Sequence, residues 1–190
     1  MNDGAMQPYA LTLDKFLDHA AKWHADVEVV TGHGDDASTR IGYAALRDRA
    51  LRVSAVLAGL GVRAGSRVAT LAWNSQAHVE AWFAIMGMGA VCHTLNPRLT
   101  PEQTAAMLRQ SGAQVVIVSA DLLPLALEIA GITPLRHLFT IDGNANAPGD
   151  GGAVPLEALL AGATAASFSA WWGLGLLVRL IARYGHRPGG

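Results

Sequence analysis

A single cysteine, Cys92, stands in a chain of 190 residues. It leaves no partner for an internal disulfide and no thiolate set for zinc, so nothing here calls for an oxidising compartment. Lysine is almost as scarce: Lys15 and Lys22 are the only two, and both fall near the N-terminus. Neither sign of charge is in excess, with 14 Lys plus Arg against 15 Asp plus Glu and a formal net charge of −1. Such a balance supplies no basic field for a phosphate backbone, which argues against nucleic acid as a partner. No apolar run is long enough to span a bilayer. The longest, residues 168–178, is interrupted by Ser169 and closed by Arg179, short of the roughly 20 residues a spanning helix needs. The first residues lack a basic stretch followed by an apolar one, so no secretory signal is expected and the chain is expected to be cytoplasmic.

Recognisable catalytic motifs are missing too. The seven histidines never form His-x-x-x-His or His-Glu-x-x-His, so no zinc helix is signalled. There is no Gly-x-Ser-x-Gly elbow, and no Gly-x-x-x-x-Gly-Lys-Ser/Thr or Gly-x-Gly-x-x-Gly follows a strand-like run. No residue is therefore assigned a catalytic, cofactor-binding or metal-binding role. What the chain does have is 51% hydrophobic side chains and only 15% charged ones, enough to build a sizeable core.

The hydrophobic pattern organises that core. Leu13, Phe16, Leu17, Ala20 and His24 recur at helical spacing, with Thr12 placed to cap the first turn. Residues 27–31 and 38–43 read as a small antiparallel pair around a loop at Gly32-His33-Gly34-Asp35-Asp36. Leu46, Ala50, Val53, Leu57 and Leu60 then make one helical stripe, with Gly61 as its C-terminal stop. From there strand and helix alternate. Strands are expected at 67–72, 90–95, 114–119 and 135–141, and helices at 76–88, from the capping box Thr100-Pro101-Glu102-Gln103 to Gly112, and at 121–130. Apolar strands joined by helices imply a doubly wound, mainly parallel α/β sheet flanked by helices. Residues 142–155 read as a surface loop before a short helix at 156–160.

Two polar segments follow predicted strands, where open α/β sheets place ligands. In Trp73-Asn74-Ser75-Gln76-Ala77-His78-Val79-Glu80, Asn74 and Ser75 can serve as turn and cap with His78 satisfied locally, or the segment can contact a ligand. In the second, Asn96-Pro97 fixes the strand exit and aims Arg98, either at an anion or at an intramolecular carboxylate or helix C-terminus. Cys92 reads as a small buried hydrophobe without an activating partner. Beyond residue 166 the composition breaks: no acid occurs after Glu157, Trp171 and Trp172 stand together, and Arg179, Arg183 and Arg187 are spaced four apart.

Taken in order, Ile41-Gly42-Tyr43-Ala44-Ala45-Leu46, Leu60-Gly61-Val62-Arg63-Ala64-Gly65-Ser66-Arg67-Val68-Ala69-Thr70-Leu71, Trp73-Asn74 and Gly87-Met88-Gly89-Ala90-Val91-Cys92-His93-Thr94-Leu95-Asn96-Pro97-Arg98-Leu99 resemble the N-terminal part of AMP-forming acyl-CoA synthetases. The His-Thr-Leu-Asn-Pro-Arg stretch resembles the medium- and long-chain fatty-acid–CoA ligase branch. The resemblance implies residues 8–164 as an incomplete N-terminal domain of an adenylate-forming enzyme and 165–190 as an atypical tail. It implies ATP, Mg2+ and CoA as cofactors, a fatty acid as substrate, and homodimers as a candidate assembly. The family's phosphate loop, acyl pocket and catalytic lysine lie beyond the matched region, so none of these groups is expected to bind this chain productively. Codons compatible with residues 178–188, read one nucleotide later, allow a glycine- and threonine-rich loop like the family's, which makes a frame slip one account of the tail. The alternative is a non-catalytic interaction module whose Leu176, Leu177, Leu180, Ile181 and Tyr184 face a membrane from an amphipathic helix.

Overall fold

The computed structural model describes residues 12–34, 37–143 and 152–165. The tail reading, the tip of the 32–36 loop and residues 144–151 of the expected surface loop lie outside them. α1 (Leu13–Trp23) packs through Leu17 against α2 (Tyr43–Gly59), and β1 (Glu28–Gly32) pairs antiparallel with β2 (Ser38–Gly42), as the alternation predicts.

Five strands form the main sheet: β3 (Arg67–Leu71), β4 (Val91–Thr94), β5 (Val115–Ser119), β6 (His137–Ile141) and β7 (Val154–Pro155). Their order is β4-β3-β5-β6-β7 and every pairing is parallel. β5 lies in the middle with all five residues buried, which is why it reads as Val-Val-Ile-Val-Ser without alternation. Val115 and Ile117 face one layer with Val53 and Leu57 of α2, Ala84 and Ile85 of α3 (Gln76–Gly87), and Leu156 and Leu160 of α6 (Leu156–Leu160). Val116 and Val118 face the other, with Leu108 of α4 (Pro101–Ser111) and Ile129 of α5 (Leu123–Gly131). Each fully buried aliphatic side chain contributes about 1.5–3 kcal/mol, so two dry layers on one strand fix its register.

Local chemistry sets the element ends. The Thr100 hydroxyl accepts from the Gln103 N–H while the Gln103 side chain accepts from the Thr100 N–H, and Gly112 closes α4 at φ 67°. Three expectations need correction. Thr12 sits at the N-cap of α1, but its buried side chain accepts no capping bond; its backbone carbonyl, accepting from Lys15 N–H, closes the turn. The helix expected from Asp121 begins as a 3-10 turn (Ala120–Leu122), because Pro124 lacks an N–H and is confined to the first α-helical turn. β7 lies inside the segment read as loop; at two residues it has no period to detect.

Candidate functional site

β3 and β5 are neighbours whose outgoing connections leave on opposite faces, through α3 and α5. The crevice between their C-terminal ends is the switch point where doubly wound sheets place ligands. Side chains from three strand ends meet there. Trp73 N–H donates to Ser119 Oγ at 3.1 Å and its indole Nε1–H to Asp121 Oδ2 at 2.7 Å. Ser75 Oγ and Ser119 Oγ both donate to Asp142 Oδ2, at 2.8 and 3.2 Å. Asp142 directly follows β6 at φ 61°, a left-handed conformation that Asp tolerates better than most residues.

His78 is satisfied at both ring nitrogens. Nδ1 lies 3.0 Å from the Trp73 carbonyl and Nε2 3.0 Å from Thr70 Oγ1. A carbonyl only accepts, so these partners assign the proton to Nδ1 and leave Nε2 accepting from the hydroxyl. Ser75 Oγ also accepts from His78 N–H at 3.2 Å, capping α3. The segment 73–80 therefore does the turn, cap and local bonding that its structural reading anticipates.

Two clefts flank this network. One, of about 380 Å³, is lined by Thr31, Arg49, Gln76, Glu80, Asp142 and Glu157, among others. Arg49 of α2 spans it, donating Nε–H to Glu80 Oε1 at 2.7 Å and both terminal nitrogens to Glu157, at 2.9 and 2.5 Å. Gln76 Nε2 donates to the same Glu80 oxygen at 2.7 Å. Glu80 is 1% exposed. Burial pushes its carboxyl above the usual range, against the opposing pull of Arg49, while the Arg49 fork holds Glu157 below it. The bond to Glu157 in turn raises the Arg49 guanidinium. With three carboxylates around one guanidinium already spent on two of them, this cleft has no attraction for a polyphosphate. The second, of about 330 Å³, is lined by Asn74, Ser75, His78, Val79, Trp82 and Thr94, and suits an apolar or aromatic group with one polar edge.

The other residues singled out in the sequence lie elsewhere. Asn96 Oδ1 accepts from Arg98 N–H at 3.0 Å, so Asn-Pro shapes the turn as expected. The Arg98 side chain is exposed, lines neither cleft, and meets neither a carboxylate nor a helix C-terminus among the described residues, which corrects the intramolecular pairing with either. Cys92 is half-buried, and burial pushes its thiol up to about 11. Sequence reasoning missed the Arg49–Glu80–Glu157 bridge. Its one local signal is an acid four residues after Gln76, followed in the helix by apolar residues to its end.

Known proteins resemble the chain over most of its described length. It is 35% identical over 144 residues to a 3-methylmercaptopropionyl-CoA ligase of Ruegeria lacuscaerulensis, covering 75% of this chain and 26% of the relative. It is 40% identical over 141 residues to a long-chain-fatty-acid–CoA ligase of Thermus thermophilus, covering 74% and 26%. A medium-chain-fatty-acid–CoA ligase of Ectopseudomonas oleovorans is 33% identical over 143 residues. Among solved structures, an anthranilate CoA ligase in complex with anthranoyl-AMP shares the fold at a TM-score of 0.73 and 24% identity, over 87% of this chain and 30% of that one. A benzoate CoA ligase from Burkholderia xenovorans does so at 0.70. The chain spans about a quarter of the length of the curated relatives it matches. A family of unknown function, DUF6107, matches residues 151–190. The AMP-binding enzyme model covers residues 16–153, from α1 through the whole switch-point network to the approach to β7, and by that match the chain belongs to the AMP-binding enzyme family.

Proposed function

We propose that residues 8–164 are the leading part of an acid–CoA ligase acting on fatty acids, and that the 190-residue chain does not complete the reaction alone. The observation that carries this reading is the family match over 16–153 by a chain spanning 26% of its ligase relatives. In the proposed reaction a carboxylate oxygen of the acid attacks the α-phosphorus of ATP and expels pyrophosphate. The thiol of CoA, losing its proton, then attacks the acyl carbon and expels AMP.

The described residues do not fit the triphosphate of ATP with its metal. Adenylation needs donors and cations that stabilise charge growing on the α-phosphate and the leaving pyrophosphate. At the C-terminal edge of the sheet, Arg49 is committed to Glu80 and Glu157, His78 to Trp73 and Thr70, and both switch-point carboxylates already accept hydrogen bonds. No step is therefore routed through ATP, magnesium or CoA on these residues, and no catalytic residue is assigned. A separate family model matches 151–190, which overlaps the end of the 8–164 segment and takes in the whole tail; the proposal sets the tail, 165–190, apart from the enzyme domain. No helix among the described residues is long and apolar enough to cross a membrane. A cytoplasmic location is part of the same proposal. Homodimerisation is carried over from the family as part of the same proposal.

Pyrophosphate release with ATP, magnesium, CoA and a panel of short, medium and long fatty acids tests this reading. The expected result is release no greater than from a boiled control. Turnover above that control overturns the inactivity and the reading of where the phosphate site lies.

A further inference from the structure

We infer that the N-terminal edge of the sheet, opposite the switch point, binds a phosphate-class dianion between Arg67 and Arg136. A cleft of about 260 Å³ opens there, with Arg67, Gln114, Arg136 and His137 among its lining residues and no Asp or Glu. The parallel register builds the row. Val68 is paired with Val115 and Val115 with His137, so Arg67, Gln114 and Arg136, each one residue earlier, stand level on three adjacent strand starts. Neighbouring strands lie about 4.8 Å apart, which places the two arginine backbones about 10 Å from each other. An arginine side chain reaches about 6 Å, so both guanidinium groups can converge on one anion above Gln114, whose amide faces the same way by register.

Neither guanidinium makes an ion pair or hydrogen bond to a side chain among the described residues. The competing explanation is that they serve the C-terminal ends of α2 and α4. Arg67 Nη1 does lie 4.0 Å from where a Cβ on Gly112 would stand, beside the end of α4. Each helix end contributes only about half a negative charge, so two of them offset about one of the two positive charges and leave the row cationic. A phosphate monoester is attracted by that remainder and matches two planar guanidinium forks in geometry. His137, stacked against Phe139 with centroids 6.2 Å apart, adds a ring nitrogen at the rim. The cleft has room for the phosphoryl group and a small organic residue.

Titrating inorganic phosphate into the 190-residue chain by calorimetry, at constant ionic strength held with sodium chloride, tests the site. Saturable millimolar binding is expected. Arg67→Gln and Arg136→Gln should each weaken it about tenfold, the scale of one charge-assisted contact, and the double variant should abolish it. Arg98→Gln, on the opposite edge, should bind like the parent. Both lining arginines are exposed, so the variants should fold, and unchanged circular dichroism checks this; Arg67→Lys should recover part of the affinity. Sedimentation with phosphatidic-acid vesicles, run in parallel, separates a lipid headgroup from a soluble phosphate as the source. Absence of saturable binding to both probes, or binding that survives in the double variant, overturns the proposal.

Discussion

Replacing Arg49 with Met should destabilise the chain by about 3 kcal/mol at neutral pH, and the loss should shrink in acid. The magnitude rests on Glu80. Breaking a buried ion pair from one side costs about 3–5 kcal/mol because the remaining charge is stranded. Glu80 is 1% exposed, and Gln76 alone would remain bonded to it. The Glu157 arm adds little, since that side chain is half exposed and such pairs contribute about 0–1 kcal/mol. The lower end of the range applies because Glu80 can escape by taking up a proton. Its folded pKa already lies above the ordinary value, so the folded chain holds more protons than the unfolded one just above that value, and stability falls as pH rises through the window. Without Arg49 this fall steepens. Glu157 works in the same direction: Arg49 holds its pKa low, which stabilises the parent above the ordinary carboxylate range, and the variant loses that contribution. Urea unfolding of parent and variant at pH 5, 7 and 8 should show a gap that widens with pH. Adding Glu80→Gln to the variant should recover about 2 kcal/mol, because a neutral amide replaces the stranded charge. An unchanged midpoint at pH 7, or a gap larger at pH 5 than at pH 8, would refute the reasoning.

Thr100→Ala removes the hydroxyl half of the capping box and should cost about 1 kcal/mol in the same unfolding assay, with Thr100→Ser close to the parent. Gly42→Ala places a Cβ 2.6 Å from the Ala25 carbonyl oxygen, where the hairpin meets α2, and should cost about 1–3 kcal/mol; a midpoint equal to the parent's would show that the α1–β1 connection yields freely. Cys92, half-buried with its thiol pushed up to about 11, should react with iodoacetamide at pH 7.5 far more slowly in the native chain than in urea. Equal rates would show that the strand carrying it opens readily.

Periodicity made the sheet legible because each strand and helix announces itself over a short window. Every strand and helix expected between Arg67 and Ile141 is present, with the start of α5 displaced, and Ser75, Thr100 and Gly112 mark helix ends through bonds made within a few residues. Interactions across long separations left no such trace. Arg49 meets Glu80 and Glu157 only after three helices pack together, and Asp142 looks like the first residue of a loop until β3 and β5 bring Ser75 and Ser119 to it. Arg98 failed in the other direction: an arginine after Asn-Pro invites a partner by its charge, and the fold supplies none among the described residues. Thr12 has the right residue type and position for a cap, and only the burial of its side chain decides otherwise.

The strand order has a consequence for synthesis. β3 emerges before β4 and pairs with it first, yet its other edge belongs to β5, which follows only after α4. On a ribosome adding about 5–20 residues per second, β3 therefore waits several seconds with a bare edge and without Val116 and Val118 beside Leu71. During that interval α3 can already cover one face through Ala84 and Ile85 and α4 the other through Leu108, so an intermediate with covered faces and an open edge precedes the closed sheet. A nascent chain stalled before Val115 should bind holdase chaperones through that bare edge, and release should coincide with the arrival of β5.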